Sequence, residues 1–194
     1  IPKVDAVRDA LALLEADEVG DLLDSIVEKT YRNAVFRSGT IGGYTAAAVD
    51  GVELFSSTKK SCRKCLTRKN KAGQTEYFHR SVVCASIGHS PHVVLGQEML
   101  TPRDGGEKDE GELTGGKRLV RDLHRKFGHF ADVIVADALY LNAPFLNTVL
   151  DCHMDAVIRL KDEERLIYKD AKGLFEKGEG RKDGFRRGRK RIEA

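Results

Sequence analysis

The chain has 194 residues, 41% of them hydrophobic, which predicts one domain with a real core plus extensions and makes two complete domains a tight fit. Its net charge of +3 is small, and four cysteines without a signal peptide argue against a secreted disulfide scaffold. No apolar run approaches the length that a bilayer requires. The composition therefore predicts a reduced, cytoplasmic protein with no membrane partner.

Residues 1–43 are predicted to form a helical N-terminal segment. Apolar residues recur every three or four positions, which predicts amphipathic helices over 4–18 and 20–32, with Gly20 between them. Their expected role is packing. A glycine-rich stretch at 37–43 lacks the residues of a phosphate-binding loop and is interpreted as a connection.

Strand patterns begin at residue 44 and predict an antiparallel meander. The three strands are expected at 44–54, 77–86 and 92–100. The polar and basic stretch 56–75 between the first two is interpreted as an exposed excursion. Hairpins at the start of a sheet argue against a doubly wound nucleotide-binding fold, in which strands and helices alternate from the beginning.

The second half of the sequence alternates helices and strands. A helix is predicted at 113–127, a buried strand at 133–136, and then a helix, a strand and a helix at about 142–152, 156–160 and 163–176. This order predicts an α/β fold of the RNase H-like type, with a mixed sheet that is antiparallel first and parallel afterwards. We assign this domain to residues 44–178 and a basic extension to 179–194.

Two aspartates each follow a short apolar strand. Asp50 comes after Ala46–Val49, and Asp137 comes after Val133–Ala136. Carboxylates on neighbouring strands suit a two-metal site for phosphoryl transfer, because hard oxygen ligands hold Mg²⁺ or Mn²⁺. The alternative is structural: Asp137 caps the helix that begins near Asn142, and Asp50 initiates a turn at Gly51.

A second candidate metal site is the pair Cys62 and Cys65. Their spacing is that of half a zinc site, and the remaining Zn²⁺ ligands would come from Cys84, His79, His89 or His92. The alternative is that Cys84, in the middle of a strand, is simply a small buried residue. Thiol redox chemistry is disfavoured because no thioredoxin-like strand and helix surround the pair.

Charged residues outside these sites allow two interpretations. The basic excursion and the basic extension could contact phosphates, or they could be solvated surface. Lys161 after the last predicted strand has the same two interpretations. The acids Glu98, Glu107 and Glu110 could join an acidic cluster or face water.

Several phrases of the sequence resemble the catalytic domain of bacterial insertion-sequence transposases of the DDE class, in the insertion-sequence-four group. The Asp-Ala-Leu-Tyr phrase at 137–140 and the Lys-Asp-Glu phrase at 161–163 are the most specific. Further similar phrases, in the family's order, lie at 49–54, 65–68 and 77–83. The resemblance extends over residues 45–176.

The resemblance implies an RNase H-like fold, magnesium-dependent hydrolysis and strand transfer at transposon ends, and Asp50 and Asp137 as the first two catalytic acids. The family's third acid is a glutamate within a Tyr, Arg, Glu, Lys signature, which is not found here; Glu176 has the wrong context. We therefore expect the sequence to end before the third acid and this chain alone to be inactive.

The expected partner is double-stranded DNA at transposon ends, bound by a homodimer in the active complex. A non-catalytic DNA-binding or regulatory remnant of a transposase is the alternative. The predicted phosphate contacts are Arg63, Lys64, Arg68, Lys161, Arg186 and Arg187.

Overall fold

A computed structural model describes residues 3–102, 109–161, 163–178, 184–187 and 190–193. The chain divides into two compact units, residues 1–158 and residues 159–194. In the described residues, no helix combines the length and the apolar character that crossing a membrane demands.

The first unit is a mixed sheet with flanking helices. Its elements in chain order are α1 (Val4–Ala12), α2 (Ala16–Arg32), β1 (Ala46–Ser57), β2 (Leu66–Lys69), β3 (Thr75–Ile87), β4 (Val94–Met99), α3 (Glu112–Phe127), β5 (Val133–Ala136), a 3₁₀ turn (Ala138–Tyr140), α4 (Ala143–Asp151) and β6 (Asp155–Ile158).

The sheet contains both antiparallel and parallel strands. β3 pairs antiparallel with β1 along one edge, and β2 and β4 both pair antiparallel with successive parts of its other edge. β1 pairs parallel with β5, and β5 pairs parallel with β6. The predicted antiparallel meander is confirmed as β1, β3 and β4, and the predicted mixed α/β architecture is confirmed with it.

The short strand β2 was not predicted. It lies in the stretch 56–75, whose basic composition indicated an exposed excursion. Leu66 is buried while Thr67 is exposed, so β2 follows the alternation of a half-buried strand, but four residues are too few to make that pattern visible in the sequence.

The boundaries of the first two helices differ from the predictions, which placed a break at Gly20. α1 ends at Ala12 instead of 18, and α2 begins at Ala16 and continues through Gly20. A glycine inside a helix costs only about 1 kcal/mol relative to alanine, which the amphipathic packing of a long helix can offset. The predicted start of α4 is confirmed, because the Asn142 side chain accepts a hydrogen bond from the Phe145 N–H at 3.0 Å.

Helix α3 packs closely on β3 and β4. A Cβ atom at Gly115 would lie 2.4 Å from the Leu100 side chain, and one at Gly116 would lie 2.9 Å from the Tyr140 ring. The two glycines therefore allow the first turn of α3 to approach the sheet. The core between α3, α4 and the sheet includes Val49, Val82, Leu95, Leu119, Val120, Leu123, Ile134, Phe145 and Val149.

The second unit contains α5 (Leu166–Glu176) and a hairpin of β7 (Gly184–Arg187) and β8 (Lys190–Glu193). The hairpin is antiparallel, with Phe185 opposite Ile192. α5 was predicted, although it begins three residues later than expected, and the hairpin was not predicted from the basic composition of this region.

Candidate acidic site and cysteine–histidine cluster

Asp50 of β1 and Asp137, the residue that follows β5, occupy neighbouring positions at the end of a parallel strand pair. Val49 of β1 lies opposite Ala136, the last residue of β5, and the next residue of the chain after each is an aspartate. Neighbouring strands in a sheet are about 4.8 Å apart. β5 ends at Ala136, whereas β1 continues to Ser57 as the partner of β3, so Asp50 lies where β1 separates from β5.

Each aspartate uses one carboxylate oxygen locally. Oδ1 of Asp50 accepts a hydrogen bond from the Gly51 N–H, and Oδ1 of Asp137 accepts one from the Leu139 N–H, both at 2.8 Å. Asp137 thus caps the 3₁₀ turn that begins at Ala138, while Asn142 caps α4. Both aspartates are exposed, and capping leaves the second oxygen of each carboxylate available.

Glu112, the first residue of α3, lies against Gly51, the residue after Asp50. A Cβ atom on Gly51 would be 2.3 Å from the Glu112 carboxylate carbon, so the missing side chain at Gly51 leaves room for this carboxylate. The Glu112 side chain is 15% exposed, and its Oε1 pairs with Nη1 of Arg80 at 2.7 Å. Arg80 also pairs with Glu53 at 3.0 Å. Glu112 was not selected from the sequence, because an acid in the first turn of a helix is common.

Tyr140 connects the three acids electrostatically. It is completely buried, and its hydroxyl has no hydrogen-bond partner among the described residues. Burial raises the pKa of the Tyr140 phenol above its ordinary value. The negative charges of Glu112, Asp50 and Asp137 raise this pKa further. The Tyr140 hydroxyl is therefore close enough to all three carboxylates to be affected by their charge.

The acids do not form a tight ligand cluster. In the described part of the chain, the group of three or more possible ligands whose atoms lie within 4.8 Å of one another is Cys62, Cys65 and His79. Cys62 is exposed, Cys65 is buried and His79 is half-buried. The structure thus brings one of the four candidate partners to the Cys62 and Cys65 pair.

The other candidate zinc ligands lie elsewhere. Cys84 is buried in β3 opposite Val49 and Gly96, and burial raises the pKa of its thiol to about 12. It is the small buried residue of the structural interpretation. His89 and His92 lie around the connection from β3 to β4, outside the cluster.

The predicted phosphate contacts differ in their surroundings. Arg63 and Lys64 are exposed between the two cysteines. Arg68 pairs with Glu53 at 2.7 Å and with Glu76 at 2.6 Å, and these hydrogen bonds raise its pKa. Lys161 is exposed in the second unit, and the remaining two, Arg186 and Arg187, lie in β7.

Two of the acids considered for the acidic cluster, Glu98 in β4 and Glu110 in the following loop, form ion pairs with α3. Arg118 pairs with Glu98 at 2.7 Å and also pairs with Glu110. Burial acts to raise the pKa of the Glu110 carboxyl, but the hydrogen bonds from Arg118 and Thr101 outweigh it and hold this pKa below its ordinary value. Glu107 lies outside the described residues. Glu98 and Glu110 therefore hold the chain at the N-terminal end of α3 through Arg118, and they do not join Asp50 and Asp137.

Comparisons of the chain with protein-family models, with curated proteins and with solved structures found no match. Function is therefore inferred from the chemistry of these residues and from the sequence resemblance.

Proposed function

We propose that this chain belongs to a DNA transposase with an RNase H-like catalytic domain, which in its complete form hydrolyses phosphodiester bonds at transposon ends and transfers the strands. The observation that carries the proposal is the register of β1 and β5, which makes Asp50 and Asp137 neighbours. The strand order β4, β3, β1, β5, β6, antiparallel and then parallel, supports the fold assignment.

The donor atoms near Asp50 fit a hard divalent cation. Asp50 and Asp137 each retain a carboxylate oxygen beyond the one that accepts a backbone hydrogen bond, and Glu112 adds a third carboxylate. The unpartnered hydroxyl of Tyr140, buried within range of these acids, is a further sign of a site built for a polar ligand. Mg²⁺ or Mn²⁺ bound there would stabilise the attacking and leaving oxygens of phosphoryl transfer.

The protein residues would act by holding charge in place. Asp50 and Asp137 would orient their second oxygens, because the hydrogen bonds to Gly51 N–H and Leu139 N–H fix each carboxylate. Arg80 would fix Glu112 over Gly51 and reduce the repulsion among the acids in the absence of a cation.

Metal binding by the purified chain tests the site. We expect Mn²⁺ titration, followed by electron paramagnetic resonance, to show binding that Asp50→Asn and Asp137→Asn each weaken by about tenfold or more. Asp151→Asn, which changes an exposed acid at the end of α4, is the matched control and should bind like the wild type. Equal Mn²⁺ affinity in all four proteins would show that these acids hold no cation.

The reaction is tested in the complete protein. Asp137→Ala should abolish cleavage at transposon ends and leave binding to those ends largely intact, so cleavage by this variant would refute the proposed chemistry. DNA binding by the wild type that falls steeply with salt, without magnesium-dependent nicking, would instead support the non-catalytic DNA-binding remnant.

A further inference from the structure

The register of β2 on β3 creates a compact set of soft metal ligands. Leu66 lies opposite Phe78, so the preceding residue, Cys65, falls opposite the following residue, His79. Cys62 is returned to the same place by a turn, in which the Cys65 N–H donates to the Cys62 carbonyl at 3.2 Å. The Cys62 N–H also donates to the Cys65 sulfur at 3.2 Å.

The three ligand atoms are separated by distances that suit one tetrahedral ion. The two sulfurs lie 3.6 Å apart, and Nε2 of His79 lies 3.3 Å from the Cys62 sulfur and 3.4 Å from the Cys65 sulfur. Zinc–sulfur bonds of about 2.3 Å and zinc–nitrogen bonds of about 2.0 Å at tetrahedral angles require separations of about 3.8 Å and about 3.5 Å. Both cysteines are free thiols.

We propose that Cys62, Cys65 and His79 bind a Zn²⁺ ion, with a water molecule or another ligand in the fourth position. The two thiols release their protons to solvent on binding, and the neutral imidazole donates its Nε2 lone pair. This site is independent of the chemistry proposed for Asp50 and Asp137, which takes hard oxygen ligands and a different cation.

The expected role of the ion is to fasten a basic segment to the sheet. Residues 58–65 connect β1 to β2 and carry two of the three ligands, Cys62 and Cys65. Zinc would tie this segment to β3 through His79. Its exposed cations are then held in fixed positions at the surface; they are Lys59, Lys60, Arg63 and Lys64.

Metal analysis of the purified chain, prepared under reducing conditions and supplied with Zn²⁺, tests the site. We expect about one bound zinc per chain. Substitution of Co²⁺ should give the thiolate charge-transfer and intense visible bands of tetrahedral coordination. Cys62→Ser changes an exposed side chain and should lose the bound metal while the circular dichroism spectrum stays that of a folded protein.

Matched controls separate the ligands from other cysteines and histidines. Cys152→Ser and His92→Gln change residues outside the cluster and should retain about one zinc. Limited trypsin digestion gives a second measurement on the wild type, because chelation should speed cleavage after Lys59, Lys60, Arg63 and Lys64. No bound zinc in the wild type, recovery of Cys62 and Cys65 as a disulfide, or full zinc occupancy in Cys62→Ser would each overturn the proposal.

Discussion

The two candidate metal sites of this protein are preorganised for metal binding to different degrees. In the cysteine–histidine cluster, three ligand atoms lie within 3.6 Å of one another, on a strand pair and a tight turn. At the acidic site, Asp50 and Asp137 are neighbours by register, but their carboxylates are engaged with backbone N–H groups and Glu112 is held by Arg80.

The difference follows from the charge of the ligands. Thiols and a neutral imidazole can lie in contact without repulsion, whereas three carboxylates close together repel one another unless a cation is present. We therefore expect the cysteine–histidine cluster to bind its ion as part of the fold, and the acidic site to draw its ligands together only when the ion binds.

Chelation should give the largest contrast between the two sites. An ion held at a thousand times its dissociation constant stabilises the folded state by about 4 kcal/mol. Removing zinc should therefore lower the free energy of unfolding by about that amount, measured by urea denaturation with and without a zinc-specific chelator. The chelator should have no effect on the stability of Cys62→Ser. An equal loss of stability in that variant would show that the chelator acts on a metal bound at another site.

Replacing Arg80 by Gln should have the next largest effect. Glu112 would lose its cation while 15% exposed, and Glu53 would lose one of its two arginine partners. Because Arg80 is itself 30% exposed, we expect a loss of about 2 kcal/mol, below the cost of breaking a fully buried pair. Mg²⁺ should restore more stability to this variant than it adds to the wild type, as measured by thermal unfolding. Arg125→Gln, which changes an exposed surface pair, is the control.

Acid should weaken the contact between Thr45 and Asp132, the residues that precede β1 and β5. The hydrogen bond with His129 and then that from the Thr45 N–H, at 2.9 and 2.6 Å, hold the pKa of Asp132 below its ordinary value. A folded-state pKa below the unfolded value adds stability above the unfolded pKa and loses it as pH falls through the folded pKa.

Asp132→Asn should therefore cost about 1 kcal/mol near pH 7 and nothing at a pH below the folded pKa, because this carboxylate is 39% exposed. Unfolding curves of both proteins across the acid range measure the change. A constant difference between them at every pH would show that the Asp132 charge is not its cause.

Tyr140→Phe should have the smallest effect on folding. The hydroxyl is buried without a hydrogen-bond partner among the described residues, so its removal should leave stability within about 1 kcal/mol or raise it slightly. The same change should alter Mn²⁺ affinity at the acidic site, since the hydroxyl lies within range of its carboxylates. A large loss of stability would mean that the hydroxyl donates a hydrogen bond to a group outside the described residues.

Local patterns in the sequence predicted five strands, β1 and β3 to β6, and singled out the two aspartates, but they did not predict what the register adds. Apolar runs that end in Asp50 and Asp137 are visible as residue patterns, and the helix start at Asn142 has its own capping chemistry. His79 was one of four possible partners for Cys62 and Cys65, because only the pairing of β2 with β3 selects it. Glu112 was missed, since its position depends on how the start of α3 packs against Gly51 of β1.

The buried phenol of Tyr140 gives the acidic site its own optical reporter. The sequence contains no tryptophan and five tyrosines, so tyrosine dominates its near-ultraviolet absorbance and fluorescence. Glu112, Asp50 and Asp137 act electrostatically on the Tyr140 hydroxyl. Arrival of a divalent cation among these carboxylates should shift the tyrosine difference spectrum, which makes occupancy of the site measurable without a label and without a DNA substrate.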